Sequence, residues 1–319
     1  MSRTFSIGLI GARGFTGREL LKLIAGHPAF ELAFASSREL AGTPVSDMAP
    51  EISGVDFEAL SPDEAAARKP DACVLALPDG AGAAFVAAFE AASPETVLVD
   101  LSADYRFDDN WAYGLPELYR QREGLAGAKR IANPGCYATA AQLALHPVNA
   151  IIEDYPSVFG VSGYSGAGTT PSRKNDTEAL ADNLMPYALS GHKHEREVTR
   201  QLRRPIAFTP HVHPAFSGIL VTVHARLRQP VSLEKVSALY EEAYAGEPLV
   251  KVQDAAPELK DGTGIQGAII GGLTVVADQR RLVVLCAEDN LLKGAAVQAV
   301  QNLNLALGLD ELSGITAGN

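Results

Sequence analysis

The apolar positions in the first hundred residues fall in short unbroken runs. Residues 4–10 read as an apolar strand, 30–36 as a second strand, and 72–77 and 96–101 as buried strands. Helical stretches separate them. One covers residues 18–25 and is closed by Gly26-His27-Pro28; an alanine-rich one ends at Ala92. Strand and helix alternate, which predicts an α/β, Rossmann-type domain: a parallel sheet with helices on both faces.

After residue 136 the pattern changes. Residues 158–162, 206–209, 218–227 and 282–287 read as longer strands, and the run from Val221 to Arg226 alternates like a half-exposed antiparallel strand. Residues 232–244, after Pro230, form an amphipathic helix, and 292–307 form another. This second region is α+β. A chain of 319 residues exceeds one typical core. Turn residues at Asn133-Pro134-Gly135 and at Asp289-Asn290 mark the crossings. The expected domains are therefore 1–135 with 290–319, and 136–289.

Composition narrows the function. The apolar fraction of 47% and charged fraction of 20% are those of a globular protein. A net charge of −11 argues against a nucleic-acid surface, and the run from Arg200 to Arg204 reads as a helix end. No signal-peptide pattern and no bilayer-spanning apolar run occur, so a cytoplasmic protein is expected. Cys73, Cys136 and Cys286 are odd in number and dispersed. That fits a reducing compartment, without a disulfide framework or structural zinc.

Gly8, Gly11, Gly14 and Gly17 recur at every third position where the first strand meets a helix. Such a loop, here also containing Arg13, Phe15 and Thr16, lets backbone N–H groups approach a pyrophosphate. The alternative is a glycine-rich turn packed under a helix. At the end of the second strand, Ser36-Ser37-Arg38 offers hydroxyls and a guanidinium where an NAD site usually has a carboxylate. These suit the 2′-phosphate of NADP, with Glu39 turned away.

In Ile131-Ala132-Asn133-Pro134-Gly135-Cys136-Tyr137-Ala138-Thr139-Ala140 a tight turn delivers one thiol to the start of a helix. Cys136 is either an inert small hydrophobe or a nucleophile whose thiolate the helix N-terminus stabilises. Cys73 and Cys286, set in apolar runs, read as core. His192 and His194, at the entry of a helix, and His211 and His213 are the available proton handlers. With Glu197 they could bind a metal. However, paired histidines commonly occur without one and no cysteine lies near, so no metal is expected. His27 and His146 read as helix ends, and His224 as the exposed face of a strand.

The string IANPGCYATAAQLALHP resembles the active-site signature of the N-acetyl-γ-glutamyl-phosphate reductases. GARGFTGREL, SSRELAG, LSADYRF, YGLPELYR, SGYSGAG, GHKHEREV, FTPHVHP and NLLKGAAVQAVQNLNLALG follow in the order expected for that family. The resemblance implies an NADP-binding Rossmann domain. The second, catalytic and dimerisation domain would resemble that of aspartate-semialdehyde and glyceraldehyde-3-phosphate dehydrogenases. The chain would be a dimer or tetramer working in arginine biosynthesis. The catalytic thiol falls on Cys136 and the assisting histidine on His192, with His194 the second choice. Pro78 and Asn290 join the cofactor candidates.

The implied reaction is thiolate attack on N-acetyl-γ-glutamyl phosphate, a thioester, hydride from NADPH and release of the semialdehyde, His192 supplying the proton that frees the thiol. Arg106 is the first candidate anion clamp, its alternative being a surface ion pair with Asp104 or Asp108. Ser162, Gly163, Ser165 and Gly166 form a loop that could offer backbone N–H donors to substrate, its alternative being a flexible domain connection. Glu117 is a candidate for positioning arginine or substrate. Asp79 stands where the family often has histidine, and Ser217 where it often has a basic residue; His213 is the candidate replacement. A reductase of an aminoadipyl, carrier-bound or aspartyl acyl phosphate remains an alternative, as does a non-catalytic NADP-binding redox sensor.

Overall fold

A computed structural model of the chain describes residues 3–119, 121–276, 278 and 280–317. Arg120, which ends the YGLPELYR motif, lies outside the described residues. The chain divides into two compact units, Met1–Pro134 with Ala295–Thr316, and Gly135–Gly294 with Ala317–Asn319.

Among the described residues the first unit holds seven strands: β1 (Phe5–Ile10), β2 (Phe30–Ser36), β3 (Phe57–Glu58), β4 (Ala72–Leu75), β5 (Val97–Asp100), β6 (Ala112–Tyr113) and β7 (Arg130–Ala132). All pairings are parallel, in the order β3-β2-β1-β4-β5-β7-β6. The chain leaves β1 toward β2 on one side and returns to β4 on the other. The end of β1 is thus a topological switch point, where open α/β sheets bind ligands. The apolar runs are unbroken because Ile7, Leu9, Val74 and Leu98 have no exposed surface. The first helix spans Phe15–Gly26, earlier than the glycine content of its first turn suggested.

The second unit holds β8 (Ser157–Gly163), β9 (Met185–Pro186), β10 (Ala207–His213), β11 (Ile219–Arg226), β12 (Val250–Val252), β13 (Ala268–Val276) and β14 (Arg281–Glu288). They form one mixed sheet in the order β12-β13-β14-β11-β8-β10-β9. One face packs on the helices Cys136–Leu145, Lys193–Leu202 and Leu233–Tyr244 to make the core, with Val221, Val223, Ile270 and Val284 completely buried. The opposite face carries Phe159, Val161, Leu220, Ile269, Val283 and Leu285, none of them fully buried.

The short strands β3, β6, β7, β9 and β12, only two or three residues long, are absent from the sequence reading, and two longer strands also differ from it. β10 continues through Pro210 to His213, and β13 was hidden by Gly271-Gly272, where its register with β14 shifts. No helix among the described residues is long and apolar enough to cross a membrane.

Candidate active site

Cys136 opens a ten-residue helix in which every later residue is buried, while Cys136 itself is only half-buried. Its N-cap, Gly135, has no side chain, and the amides of Tyr137 and Ala138 find no acceptor among the described residues. A partly accessible sulfur thus sits beside unspent N–H donors at a helix N-terminus. Cys73 and Cys286 are completely buried, which pushes both thiols up and leaves them inert.

Two contacts within the second unit fix the thiol. The buried Glu197 accepts the Gly135 N–H at 2.9 Å through Oε1. Behind Cys136 stands Gly294, where an added Cβ would come within 2.7 Å of the Cys136 Cβ. Sequence reasoning considered Glu197 only as a metal ligand and missed Gly294. Glu197 follows His194 by three residues, one helical turn, which could have placed it on the histidine's face.

His192 is the N-cap of the Lys193–Leu202 helix, and its Nδ1 accepts the His194 N–H at 3.2 Å. Burial, then the charges of Lys193 and Lys174, lowers its pKa to about 4. The ring is therefore neutral at pH 7. With Nδ1 accepting, the ring proton belongs on Nε2. His194 is buried, its ring centroid 6.0 Å from that of Tyr137 and 4.8 Å from that of His192. Tyr187 lies 5.6 Å from His192 between ring centroids. Burial and the Cys136 charge raise the pKa of Tyr187, so Cys136, Tyr187 and His192 share one locality. No sequence signal pointed to Tyr187.

His211 instead lies tilted against Phe159, with ring centroids 4.3 Å apart, while the exposed His213 accepts the Ala215 N–H through Nδ1. Among the described residues no three His, Cys, Asp or Glu side chains gather as a metal site.

Several candidates have different surroundings from those expected. Arg106 is not on the surface: it is buried, with Nε donating to the Asn133 carbonyl at 2.9 Å and Nη2 to the Leu101 carbonyl at 2.8 Å. It braces the Asn-Pro-Gly turn from within the first unit. Glu117 is likewise internal, accepting from Gln301 of the Val297–Ala306 helix at 3.0 Å. The loop after β8 is neither a flexible connection nor an open set of donors. The N–H groups of Gly163, Tyr164 and Ser165 already bond the carbonyls of Gly218, Ala215 and Phe216. Ser162 donates to the Gly163 carbonyl, and Gly166 is exposed. The Asn290 amide closes this network within the second unit, accepting from Gly218 N–H and donating to Ser165 Oγ, both at 2.9 Å. Ser217 is buried with its hydroxyl on Asp289 at 2.9 Å, so no cation is needed there to satisfy the carboxylate. Asp79 accepts the Ala103 N–H at 3.0 Å and holds the loop that carries Arg106.

In the first unit the glycine loop fits a dinucleotide. Gly11 has φ +82°, and a Cβ there would lie 2.2 Å from the Ala76 carbonyl oxygen, two residues before the exposed Pro78. Gly14 is a bare N-cap for the Phe15–Gly26 helix, whose first turn, with Thr16 and the buried Gly17, has no acidic side chain. Such an end receives an anion without repulsion. At the end of β2, Ser36 and Ser37 are buried and Arg38 is exposed; Glu39 is taken up by Arg13 at 2.7 Å.

The comparisons agree with this division. Residues 6–126 match the semialdehyde dehydrogenase NAD-binding domain, and residues 136–290 the semialdehyde dehydrogenase dimerisation domain. The N-acetyl-gamma-glutamyl-phosphate reductase of Stenotrophomonas maltophilia is 56% identical over 98% of both chains. That of Xylella fastidiosa is 50% identical over 98% of this chain and 95% of its own. Among solved structures, aspartate semialdehyde dehydrogenase II of Vibrio cholerae has the same fold, with a TM-score of 0.77 at 19% identity over 96% of this chain and 99% of that one. By sequence, fold and domain content, the chain belongs to the N-acetyl-gamma-glutamyl-phosphate reductase family.

Proposed function

We propose that this chain reduces N-acetyl-γ-glutamyl phosphate to the 5-semialdehyde and phosphate, with NADPH, in arginine biosynthesis. The observation that carries this reading is the half-buried Cys136 at the start of an otherwise buried helix, in one locality with the neutral ring of His192.

Gly11, Gly14 and Gly17 would take the cofactor's pyrophosphate, and Ser36, Ser37 and Arg38 its 2′-phosphate. Arg38 has no carboxylate partner among the described residues, which supports NADP over NAD. Bound there, the reduced nicotinamide supplies the hydride.

Cys136 attacks the acyl carbon as thiolate and displaces phosphate, leaving a thioester on the sulfur. The amides of Tyr137 and Ala138 hold the oxyanion as it forms. After reduction Cys136 carries a hemithioacetal oxyanion, whose collapse expels the thiolate without needing a proton. This refines the part expected of His192. A neutral ring protonated on Nε2 is a hydrogen-bond donor to developing negative charge, and the departing phosphate takes its proton from solvent.

The second unit supports a homodimer. Its open sheet face is apolar where a lone subunit would meet water, and the matching domain is one of dimerisation.

The test is the reverse assay: N-acetylglutamate semialdehyde, phosphate and NADP, followed by NADPH absorbance. Phosphate-dependent NADPH formation is expected, at least tenfold faster than with the aspartate or aminoadipate semialdehydes. A preference for either of those would reassign the substrate. No reduction with any of the three would end the reading.

A further inference from the structure

The substrate in this reading is a polyanion, whereas the chain carries a net charge of −11. Cations must therefore stand at the site itself. The sequence candidate, Arg106, is occupied by carbonyls. Within the second unit a different cation is available.

Lys174 is half-buried, and its Nζ lies 5.0 Å from the centroid of the Tyr187 ring. Such a cation–π contact holds an ammonium in place without neutralising it. Lys174 has no carboxylate partner among the described residues, although carboxylates outnumber cations in the chain. Its loop is tied. The Asn175 side chain accepts the Ser172 N–H at 2.8 Å and donates to the Gly168 and Thr170 carbonyls, each at 2.8 Å. The ring beneath is positioned as well, since the Tyr187 N–H donates to the Pro210 carbonyl at 3.2 Å. Tyr187 also feels the charge of Cys136, and His192 that of Lys174. An ammonium with no carboxylate partner among the described residues thus sits on the ring that lies against His192.

We infer that Lys174, seated on the Tyr187 ring, binds the α-carboxylate of the substrate and so selects an acylated amino acid among acyl phosphates. The inference rests on the reading of Cys136 as the nucleophile. The carboxylate is the fitting anion because Lys174 bears on the sulfur's surroundings by way of an aromatic ring. The phosphate is bonded to the attacked carbon through a single oxygen, whereas the α-carboxylate lies at the far end of the side chain.

The reverse assay separates the two anions, because phosphate and semialdehyde are then different molecules. Lys174→Met should raise KM for N-acetylglutamate semialdehyde at least tenfold and KM for phosphate less than threefold. Lys174→Arg should restore most of the loss, and the neighbouring control Arg173→Met should leave both constants within twofold. Replacing the substrate's α-carboxylate by an amide should cost the wild type at least tenfold in kcat/KM and cost Lys174→Met little more, the non-additivity of two groups in contact. Equal losses from the amide in both proteins would overturn the inference, as would a rise confined to KM for phosphate or no change in either KM. If the wild type shows no phosphate-dependent NADPH formation, the reading of Cys136 fails first, and that result is distinct from any failure of Lys174.

Discussion

Gly294 has no side chain because Cys136 occupies the space one would need. A Cβ 2.7 Å from the Cys136 Cβ forces one of two packed backbones to move. Gly294→Ala is expected to lower kcat at least tenfold while the protein still melts cooperatively, as read by steady-state kinetics and calorimetry. His192 gives a second expectation. Its ring should titrate near pH 4 by NMR, well below the ordinary 6.5, with the resonance absent in His192→Gln. The sign is that of a buried neutral base: the ring is uncharged at pH 7 and gains a proton only as the pH falls through about 4. A midpoint near 6.5 would restore the conventional acid. As an Nε2–H donor, His192 replaced by Ala should cost about 100-fold in kcat, and replaced by Gln, which keeps an N–H, distinctly less. The sequence singled out Cys136 and His192 as candidates because a turn, a helix start and a short histidine motif are local signals. The surroundings of Arg106 were not legible. Whether a guanidinium faces solvent or the carbonyls of Leu101 and Asn133 depends on how distant turns meet.

At the scale of elements, the Cys136–Leu145 helix is the axle of the site, and burying it leaves carbonyls at its far end to be satisfied. Two tyrosines of the Leu233–Tyr244 helix do so: Tyr240 donates to the Ala144 carbonyl at 2.6 Å and Tyr244 to the Leu143 carbonyl at 2.5 Å. Tyr240→Phe should therefore cost about 1–2 kcal/mol in chemical denaturation, by stranding a buried acceptor, with kcat within a factor of two. The same scale shows where periodicity stops being informative. Apolar runs identified β1, β2, β4 and β5; β4 and β5 are buried throughout, whereas β2 exposes Glu31 and Ala33. β10 was cut short at Pro210, although the strand pairs with β8 on one side and meets only the two-residue β9 on the other, a place near a sheet edge that tolerates a missing N–H. β13 was hidden by a glycine pair that belongs to a bulge. The loop after β8 looked like a nest of free amides in sequence, but its acceptors sit some fifty residues away, beyond the reach of any local pattern.

For the molecule as a whole, the two-unit organisation was readable from a change in strand character at the Asn133-Pro134-Gly135 turn, and the open sheet face was readable in part from the alternation of β11. Sedimentation should give a dimer or a larger even assembly, and Phe159→Lys, which places a charge in the middle of the apolar face, should shift it toward monomer. Covalent chemistry at one sulfur is the claim on which the rest depends. Its most direct test is mass spectrometry of the protein mixed with N-acetyl-γ-glutamyl phosphate in the absence of NADPH. An N-acetylglutamyl adduct is expected on the peptide containing Cys136, lost when NADPH is added and never formed in Cys136→Ala. An unmodified Cys136 together with sustained turnover by Cys136→Ala would contradict it.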